Sequence, residues 1–444
     1  MSSNALKQLA DFVTLIRGTT YKGELVGKPG PALLGLGSIQ PGGGFRDADF
    51  KTYGGDCPKK LMLAPSDLFA SLKGATKDGK MIGSVARVPN FVPSGRLTQD
   101  TVKLEFLEQD KATQRYIYWL LRTPQYREYC AGRAMGSAVV ALSREDFLSY
   151  PIPPLTHYRT KLVDLLEDIE ERVRLLRDAN TTLEGIAQAL FKSWFVDFDP
   201  VRAKVEGLEP EGMDAATAAL FPDSFEESEL GLVPRGWLVK PVGDAVECIG
   251  GGTPNTKDPS YWEPAEHAWT TPKDLSGLQS PVLLSTERKL STLGLAKVSS
   301  GLLPAGTLLL SSRAPIGYLA IAQMPIAVNQ GYIAIPSGGE LSPLYMLFWC
   351  RQNMEGIKAR ANGSTFMEIS KKAFRPIPAL VPSAKVLVAF ANVADPIFER
   401  LIENERQAQT LTQLRDILLP RLISGELRLP EAKANVENTL SEAI

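Results

Sequence analysis

The segment 133–155, RAMGSAVVALSREDFLSYPIPPL, returns at residues 360–380 as RANGSTFMEISKKAFRPIPAL. Each copy then runs into a long stretch of helical apolar periodicity, at 158–196 and at 386–423. This period is far longer than the roughly 20–50 residues of solenoid repeats. The chain is therefore predicted to be a tandem duplication of one module, a globular part followed by a helix. At one constant offset the matching residues are Gly136-Ser137, Ser143 and Phe147 with Gly363-Ser364, Ser370 and Phe374.

The duplication predicts an α/β (α+β) fold in which two similar globular domains are joined by two long antiparallel coiled-coil helices, with pseudo-twofold symmetry. A chain of 444 residues has room for about three domains. We expect a first globular part at 1–155, a central helix at 156–200, an acidic linker at 201–235, a second globular part at 236–383, a second helix at 384–428 and a tail at 429–444.

Both long helices carry apolar residues in a 4-3 alternation, which is typical of a coiled-coil seam. Asn180 is the one polar residue of the first seam, Leu162 to Trp194; Asn404 lies in the second, Phe390 to Leu422, where Arg415 does not fit an apolar layer. An antiparallel register with Asn180 opposite Asn404 makes nearly every other layer apolar. The alternative is that each helix packs on its own globular part. The expected layers are Leu183 with Leu401, Leu176 with Ala408, Val173 with Leu411, and Leu166 with Leu418.

The globular parts show related patterns of strands and helices. Helices are predicted at 109–131 and 342–359, and strands of the second part at Thr307–Ser311, Tyr318–Ala322 and Tyr332–Ile335. The first part repeats these strands weakly, since Phe69–Gly74 resembles Leu309–Ala314 and Ile82-Gly83 resembles Ile316-Gly317. Similar cores with diverged loops are what two copies with different targets would have.

Composition and charge narrow the class of protein. A net charge of −1 argues against a polybasic nucleic-acid binder, but residues 1–155 carry +6, residues 236–383 carry +3 and residues 197–230 carry −8. This asymmetry permits phosphate contact by the globular parts, and solvated charge without a partner explains it equally well. We expect a cytoplasmic protein, because the sequence has no apolar run long enough for a membrane span and no secretion signal. Its four distant cysteines are expected to be reduced thiols.

Motifs of catalysis are not found in this sequence. It contains no GxxxxGK[ST] loop, no GxSxG, no HExxH and no Asn-Pro-Pro-Tyr-type methyltransferase tetrapeptide. His157 and His267 have no Cys, His or carboxylate at ligand spacing, so no metal site is expected. The sequence favours a binding module over an enzyme.

Several segments resemble the specificity subunits of type I restriction–modification enzymes. The segment 189–198, ALFKSWFVDF, resembles their central conserved region, and 414–427, LRDILLPRLISGEL, is similar to their closing motif. Further similarity lies in Gly251–Pro254, Trp269–Leu275, Leu302–Ala322 and Asn329–Gly331. The resemblance follows the family's order over nearly the whole chain, but it is weaker in the loops of the first globular part.

The resemblance implies a function for each part. The globular parts would be target-recognition domains, each for one half of a split asymmetric DNA site, and the helices would dock two methyltransferase subunits. Restriction and motor subunits would join this core. The chain itself would be non-catalytic and hold no cofactor, while its partners would use S-adenosylmethionine for adenine methylation, and ATP and Mg. Residues 162–194 would rise roughly 48 Å as a helix, the length of about 14 base pairs.

Candidate contacts follow from side-chain chemistry. Arg pairs with guanine or phosphate, Gln matches adenine, and Gly-Ser loops allow a phosphate to approach the backbone. Each candidate has a structural alternative, namely a local ion pair or an ordinary turn. We expect DNA contacts from Lys73, Arg133, Ser137, Thr253, Thr271, Arg313, Gln330, Arg360 and Ser364. We expect methyltransferase contacts from Phe191, Trp194, Phe195 and Phe198, unless these belong to the core of the chain.

Two other functions fit the same sequence. The same architecture would also suit a methylation-only or another phage-defence complex. A stand-alone DNA-processing enzyme with an unrecognised active site is the alternative from a different class; turnover of S-adenosylmethionine, ATP or DNA by the purified chain alone would favour it.

Overall fold

The computed structural model describes residues 7–46, 50–74, 80–136, 140–363 and 367–421. The chain divides into two compact units, residues 1–172 with 410–444, and residues 173–409. Both mix helices with short strands, as the sequence predicts. All four cysteines are free, and within the described part of the chain no helix is long and apolar enough to cross a membrane.

The first unit is built around the four-stranded sheet β2-β8-β5-β6 and the three-stranded sheet β3-β7-β4. Its strands are β1 (Lys7–Gln8), β2 (Val13–Arg17), β3 (Ala32–Leu34), β4 (Met62–Leu63), β5 (Leu68–Ser71), β6 (Val85–Arg87), β7 (Gly95–Leu97), β8 (Thr101–Phe106) and β9 (Pro151–Ile152). Its helices are α1 (Lys111–Leu120), α2 (Pro124–Arg133), α3 (Arg144–Leu148) and the start of α4 (His157–Phe195).

The second unit contains the rest of α4 and a four-stranded sheet in the order β14-β17-β16-β19. Apolar side chains cover both faces of this sheet, because Leu308 and Leu310 lie in one buried cluster and Leu309 in another. Its strands are β10 (Phe225–Ser228), β11 (Gly231–Pro234), β12 (Leu238–Pro241), β13 (His267–Thr270), β14 (Val282–Leu283), β15 (Arg288–Leu290), β16 (Leu308–Ser311), β17 (Leu319–Ala322), β18 (Ala327–Val328), β19 (Tyr332–Ile335) and β20 (Pro378–Val381).

The helices of the second unit are mostly short, apart from the long helix that closes the fold. They are α5 (Asp199–Val205), α6 (Ala215–Ala218), α7 (Val242–Ala245), α8 (Pro272–Leu275), α9 (Thr292–Leu295), α10 (Pro343–Gln352), α11 (Met354–Ala359), α12 (Lys371–Phe374) and α13 (Ala384–Leu418), in which the unit boundary follows Gln409.

The long helices α4 and α13 pair in the predicted antiparallel direction. The Asn404 amide nitrogen donates to Asn180 Oδ1 at 2.9 Å, and the Asn180 amide nitrogen donates to the Leu401 carbonyl at 3.2 Å. Phe191, which follows Asn180 in α4, contacts Phe390, which precedes Asn404 in α13. The two helices therefore run in opposite directions. Both asparagines are buried, and their predicted contact is confirmed.

Three helix predictions need correction. The helix expected at 109–131 is two helices, because Pro124 begins α2 and the Thr123 hydroxyl caps it by accepting from the Tyr126 amide. The helix expected at 342–359 likewise breaks between α10 and α11 at Asn353. In α13 the buried seam residue is Leu414; Arg415 lies beside it and pairs with Asp416. The seam residue Leu422 lies outside the described residues.

In each globular part, a central strand of the four-stranded sheet pairs with the same two kinds of neighbour. The central strand β5 pairs with β6 and β8, and β16 pairs with β17 and β19. Ser71 lies opposite Thr101, and Ser311 lies opposite Tyr332, which sets the alignment of the two sheets. The predicted relation of 69–74 to 309–314 is thereby confirmed.

Candidate nucleic-acid interface

Two predicted residues of the second globular part meet at the ends of its strands. The Thr253 hydroxyl donates to Gln330 Oε1 at 2.6 Å, and both side chains are exposed. Their loops are held by backbone hydrogen bonds, from the Gly252 amide to the Val328 carbonyl and from the Asn329 amide to the Thr270 carbonyl. Gly251 is required for this approach, since a Cβ there would lie 1.6 Å from the Val328 carbonyl oxygen.

Arg313 joins the same set of loops. The amide of the preceding residue, Ser312, donates to the Gly331 carbonyl at 2.8 Å, beside Gln330. The Arg313 guanidinium forms a 3.5 Å ion pair with Glu368, and the side chain of Arg313 is about one-third exposed. The local carboxylate that was the structural alternative is therefore present, and contact with an anionic ligand would have to compete with it.

The other candidates of the second part have structural partners. Thr271 caps α8, because its hydroxyl and its amide both bond to the Asp274 carboxylate. Arg360 is exposed and donates to the Gly356 carbonyl at 3.1 Å, at the end of α11. Ser364 lies outside the described residues. Thr271 thus stabilises the start of α8, and Arg360 keeps an exposed position just before the Gly-Ser loop at 363–364.

In the first globular part Lys73 occupies the place of Arg313. Its ammonium group pairs with Asp100 at 3.0 Å. Arg133 is half exposed, stacks over the Tyr129 ring with its guanidinium carbon 3.9 Å from the centroid, and lies 3.9 Å from Asp146. Ser137 lies outside the described residues. Both basic side chains are therefore held in place but accessible.

The repeated Gly-Ser loops return to the central strands in the same way. Lys73 and Met135 both form bridges to Ala141, while Arg313 and Asn362 both form bridges to Glu368. Gly136 and Gly363 adopt φ of 127° and 138°, which favour glycine. The acidic partners Asp100 and Glu368 were not predicted, and the duplication offered no signal for them, because the equivalent residues of the other copy are Gly331 and Ala141.

The aromatic residues proposed to bind a partner are mostly interior. Phe191, Trp194 and Phe195 are 3%, 4% and 6% exposed, so they cannot offer their side chains to another subunit. They contact rings of the second unit, and the prediction for these three is wrong. Phe198 is half-buried against Phe225 and Trp237. The rings around the other three are Phe221, Trp237, Tyr345, Phe348 and Phe390.

Both a family model and a relative matched over most of its length are similar to this chain. Residues 234–413 match the family model described as the type I restriction modification DNA specificity domain. A relative from Haemophilus influenzae, the type I restriction enzyme HindI specificity subunit, is 27% identical over 420 residues, which span 81% of this chain and 89% of that protein. The resemblance to type I specificity subunits is confirmed. These relatives are named specificity subunits, which agrees with the prediction of a recognition subunit.

One more relative and one solved structure are also similar to this chain. The type I restriction enzyme MjaIX specificity subunit of Methanocaldococcus jannaschii is 36% identical over 191 residues, 43% of this chain and 44% of that protein. The crystal structure of a type I restriction–modification S subunit from M. genitalium covers 95% of this chain and 97% of its own, with 14% identity and a TM-score of 0.52. That structure supports the fold. Thr253, Thr271, Arg313, Gln330 and Arg360 all lie within the matched specificity domain.

Proposed function

We propose that this chain reads the two halves of a split, asymmetric DNA site, one with each globular part, and docks methyltransferase subunits on its long helices. The observation that carries this proposal is the duplicated set of loops, each with a basic side chain after the central strand. Gln330 and Thr253 add exposed donors and acceptors suited to base edges and phosphates. Adenine methylation and cleavage of unmodified DNA would be carried out by partners that bring S-adenosylmethionine, ATP and Mg.

The charge distribution supports contact with DNA through the globular parts. Residues 1–155 carry 20 Lys and Arg against 14 Asp and Glu, and residues 236–383 carry 13 against 10. The linker segment 197–230 carries 2 against 10, so it would be repelled by phosphate. An acidic segment between two basic parts favours two separate contacts over one continuous contact.

The DNA-reading proposal is tested by mapping methylated adenines in cells that express this chain with its methyltransferase. We expect a split motif, two short specified halves around unspecified base pairs. Lys73→Ala should weaken recognition of one half and Arg313→Ala that of the other. A continuous motif, or methylation that does not depend on this chain, would contradict the proposal.

The docking face is better assigned to exposed residues of α4 than to its buried rings. Leu175 and Ile186 are 46% and 51% exposed and lie eleven residues apart, which is about three helical turns. With exposed Ala179 and Thr182 between them they form an apolar stripe in a 4-3-4 spacing, separate from the buried seam. Such a stripe fits an amphipathic helix of a partner.

The stripe also limits what the duplication explains. The equivalent positions of α13, 227 residues later, hold Ile402, Arg406, Gln409 and Gln413, so the stripe is not repeated there. We propose that it forms one of two methyltransferase docking sites, and that the second uses different chemistry. A restriction subunit would join the same complex.

Docking is tested with charge substitutions on the stripe. Leu175→Asp combined with Ile186→Asp should abolish co-purification with the methyltransferase subunit or reduce it to one copy. Val205→Asp is the matched control, because Val205 is 54% exposed at the end of α5 and lies outside both long helices. Unchanged stoichiometry of the double variant in light scattering would exclude the stripe as a docking site.

A further inference from the structure

Gln99 of the first globular part occupies the structural position of Gln330. Each glutamine is the middle residue of a three-residue connection. The connection follows one strand of a parallel pair and leads into the next strand of the four-stranded sheet; its sequence is Thr98-Gln99-Asp100 in the first part and Asn329-Gln330-Gly331 in the second. The parallel pairs match, since Leu34 lies opposite Leu97 and Thr270 opposite Val328. The two three-residue segments share only their glutamine.

The backbone hydrogen bonds of the two turns agree in detail. The Thr98 amide donates to the Leu34 carbonyl at 3.1 Å, and the Asn329 amide donates to the Thr270 carbonyl at 3.1 Å. The next strands then begin opposite Ser71 and Ser311, respectively. The middle residue is therefore carried on the same backbone path in both parts, and both glutamines are exposed.

Thr20 corresponds to Thr253 by the same alignment. Ile16 lies opposite Lys103 in the first part, and Ile249 lies opposite Ala334, the residue that corresponds to Lys103, in the second. Gly18 therefore corresponds to Gly251, and a Cβ on Gly18 would lie 1.8 Å from the Thr98 carbonyl oxygen. Thr20, two residues later, is exposed as Thr253 is.

We infer that Gln99 and Gln330 are specificity-determining residues at equivalent positions, each of which contacts one base edge in the half-site of its own globular part. A carboxamide offers a donor and an acceptor side by side, which matches N7 and N6 of adenine in the major groove. In the second part the Thr253 hydroxyl holds Oε1, which orients the amide; Thr253 is thus a positioning residue. The neighbouring cations, Lys73 and Arg313, differ between the copies, but the carboxamide is kept.

This inference rests on the proposed function, and its test separates the two. The full chain, bound to its methyltransferase subunit, selects sequences from a library of random DNA duplexes, and the selected sequences are counted. Gln99→Ala should lower the preference for one base at one position of one half-site by about tenfold. Gln330→Ala should do the same in the other half only. Gln99→Glu, which keeps the shape but removes the donor, should also lose the adenine preference.

The matched control is Gln109→Ala. Gln109 is an exposed glutamine beyond the opposite end of β8, so its loss should leave both half-sites unchanged. If the wild-type complex selects no split motif, the proposed function itself fails. If it selects one and Gln99→Ala keeps it, or weakens all sequences equally, Gln99 reads no base and the inference is overturned. The unfolding temperature of each variant identifies any effect of misfolding.

Discussion

The two globular parts hold their strand-end cations with carboxylates from different loops. Lys73 pairs with Asp100, which lies just before β8, whereas Arg313 pairs with Glu368 on the returning Gly-Ser loop. At the equivalent positions the other copy has no acid, since Gly331 corresponds to Asp100 and Ala141 to Glu368. Duplication therefore kept the backbone hydrogen bonds and the position of the cation but not its counter-ion. Side-chain pairing at these loops diverged independently of the fold.

A second pair of equivalent residues differs in burial. Arg122 and Arg351 both follow the tyrosines, Tyr116 and Tyr345, whose hydroxyls donate to the carbonyls of Pro153 and Leu380. Both arginines pair with a glutamate of α4. Arg122 is 7% exposed and donates to Glu170 at 2.7 Å and to the Tyr118 hydroxyl at 2.8 Å. Arg351 is half-buried and pairs with Glu184.

The largest expected effect comes from removing these arginines. Arg122→Ala should lower the free energy of unfolding by about 3 kcal/mol, because it leaves the Glu170 carboxylate without its main partner. Arg351→Ala should cost about 1 kcal/mol, since its pair is closer to solvent. Urea unfolding of the full chain with probes in each unit measures both. Equal losses would show that the difference in burial does not matter.

Acid should weaken the same contact in a defined direction. Burial raises the pKa of Glu170, but the charges of Arg122 and Arg87 outweigh it and hold that pKa below its ordinary value of 4.5. A lowered folded-state pKa means that the stabilisation is fully present above pH 4.5 and is lost as the pH falls through the folded-state value. Glu170→Gln should cost about 2 kcal/mol at pH 7.

The measurement is the difference in unfolding free energy between the wild-type chain and Glu170→Gln from pH 7 down to pH 3. This difference should stay constant to about pH 5 and then shrink. The control is Glu105→Gln, an exposed carboxylate of the same unit, which should show no such trend. A difference that grows on acidification would refute the assigned cause.

The repeated segment predicted the duplication, and the apolar spacing along each helix predicted the two long helices. The Asn180–Asn404 contact could be predicted because each seam contains one asparagine and one antiparallel register brings the two together. The ion pairs depend on loops distant in the chain, such as Lys73 with Asp100, so no local pattern revealed them. The misassigned rings at the end of α4 show the same limit. Trp194 is covered by Phe221, from the segment expected to be only an acidic linker.

The two long helices extend the comparison between copies. Asn180→Leu alone should lower the free energy of unfolding by about 1–2 kcal/mol, because the buried Asn404 amide loses its acceptor. Replacing both asparagines with leucine should recover that loss or exceed it, at the expense of a unique register. The loss of a unique register is measured by disulfide trapping, with pairs of cysteines placed so that they meet only when the helices are shifted. A double variant as unstable as the single one would indicate that the layer cannot hold two leucines.

The smallest expected effect concerns the counter-ions of the candidate DNA loops. Asp100→Asn releases Lys73, and Glu368→Gln releases Arg313. Because each pair is partly exposed and worth at most about 1 kcal/mol, we expect up to fivefold tighter DNA binding from either change. The salt dependence of affinity should steepen by about one phosphate contact if the released cation reaches DNA. Glu105→Gln changes the net charge equally but lies on β8 away from these loops, so it isolates the local effect. If Glu105→Gln tightens binding as much as Asp100→Asn, the gain comes from net charge. The carboxylate that pairs with Lys73 then has no specific effect on DNA binding.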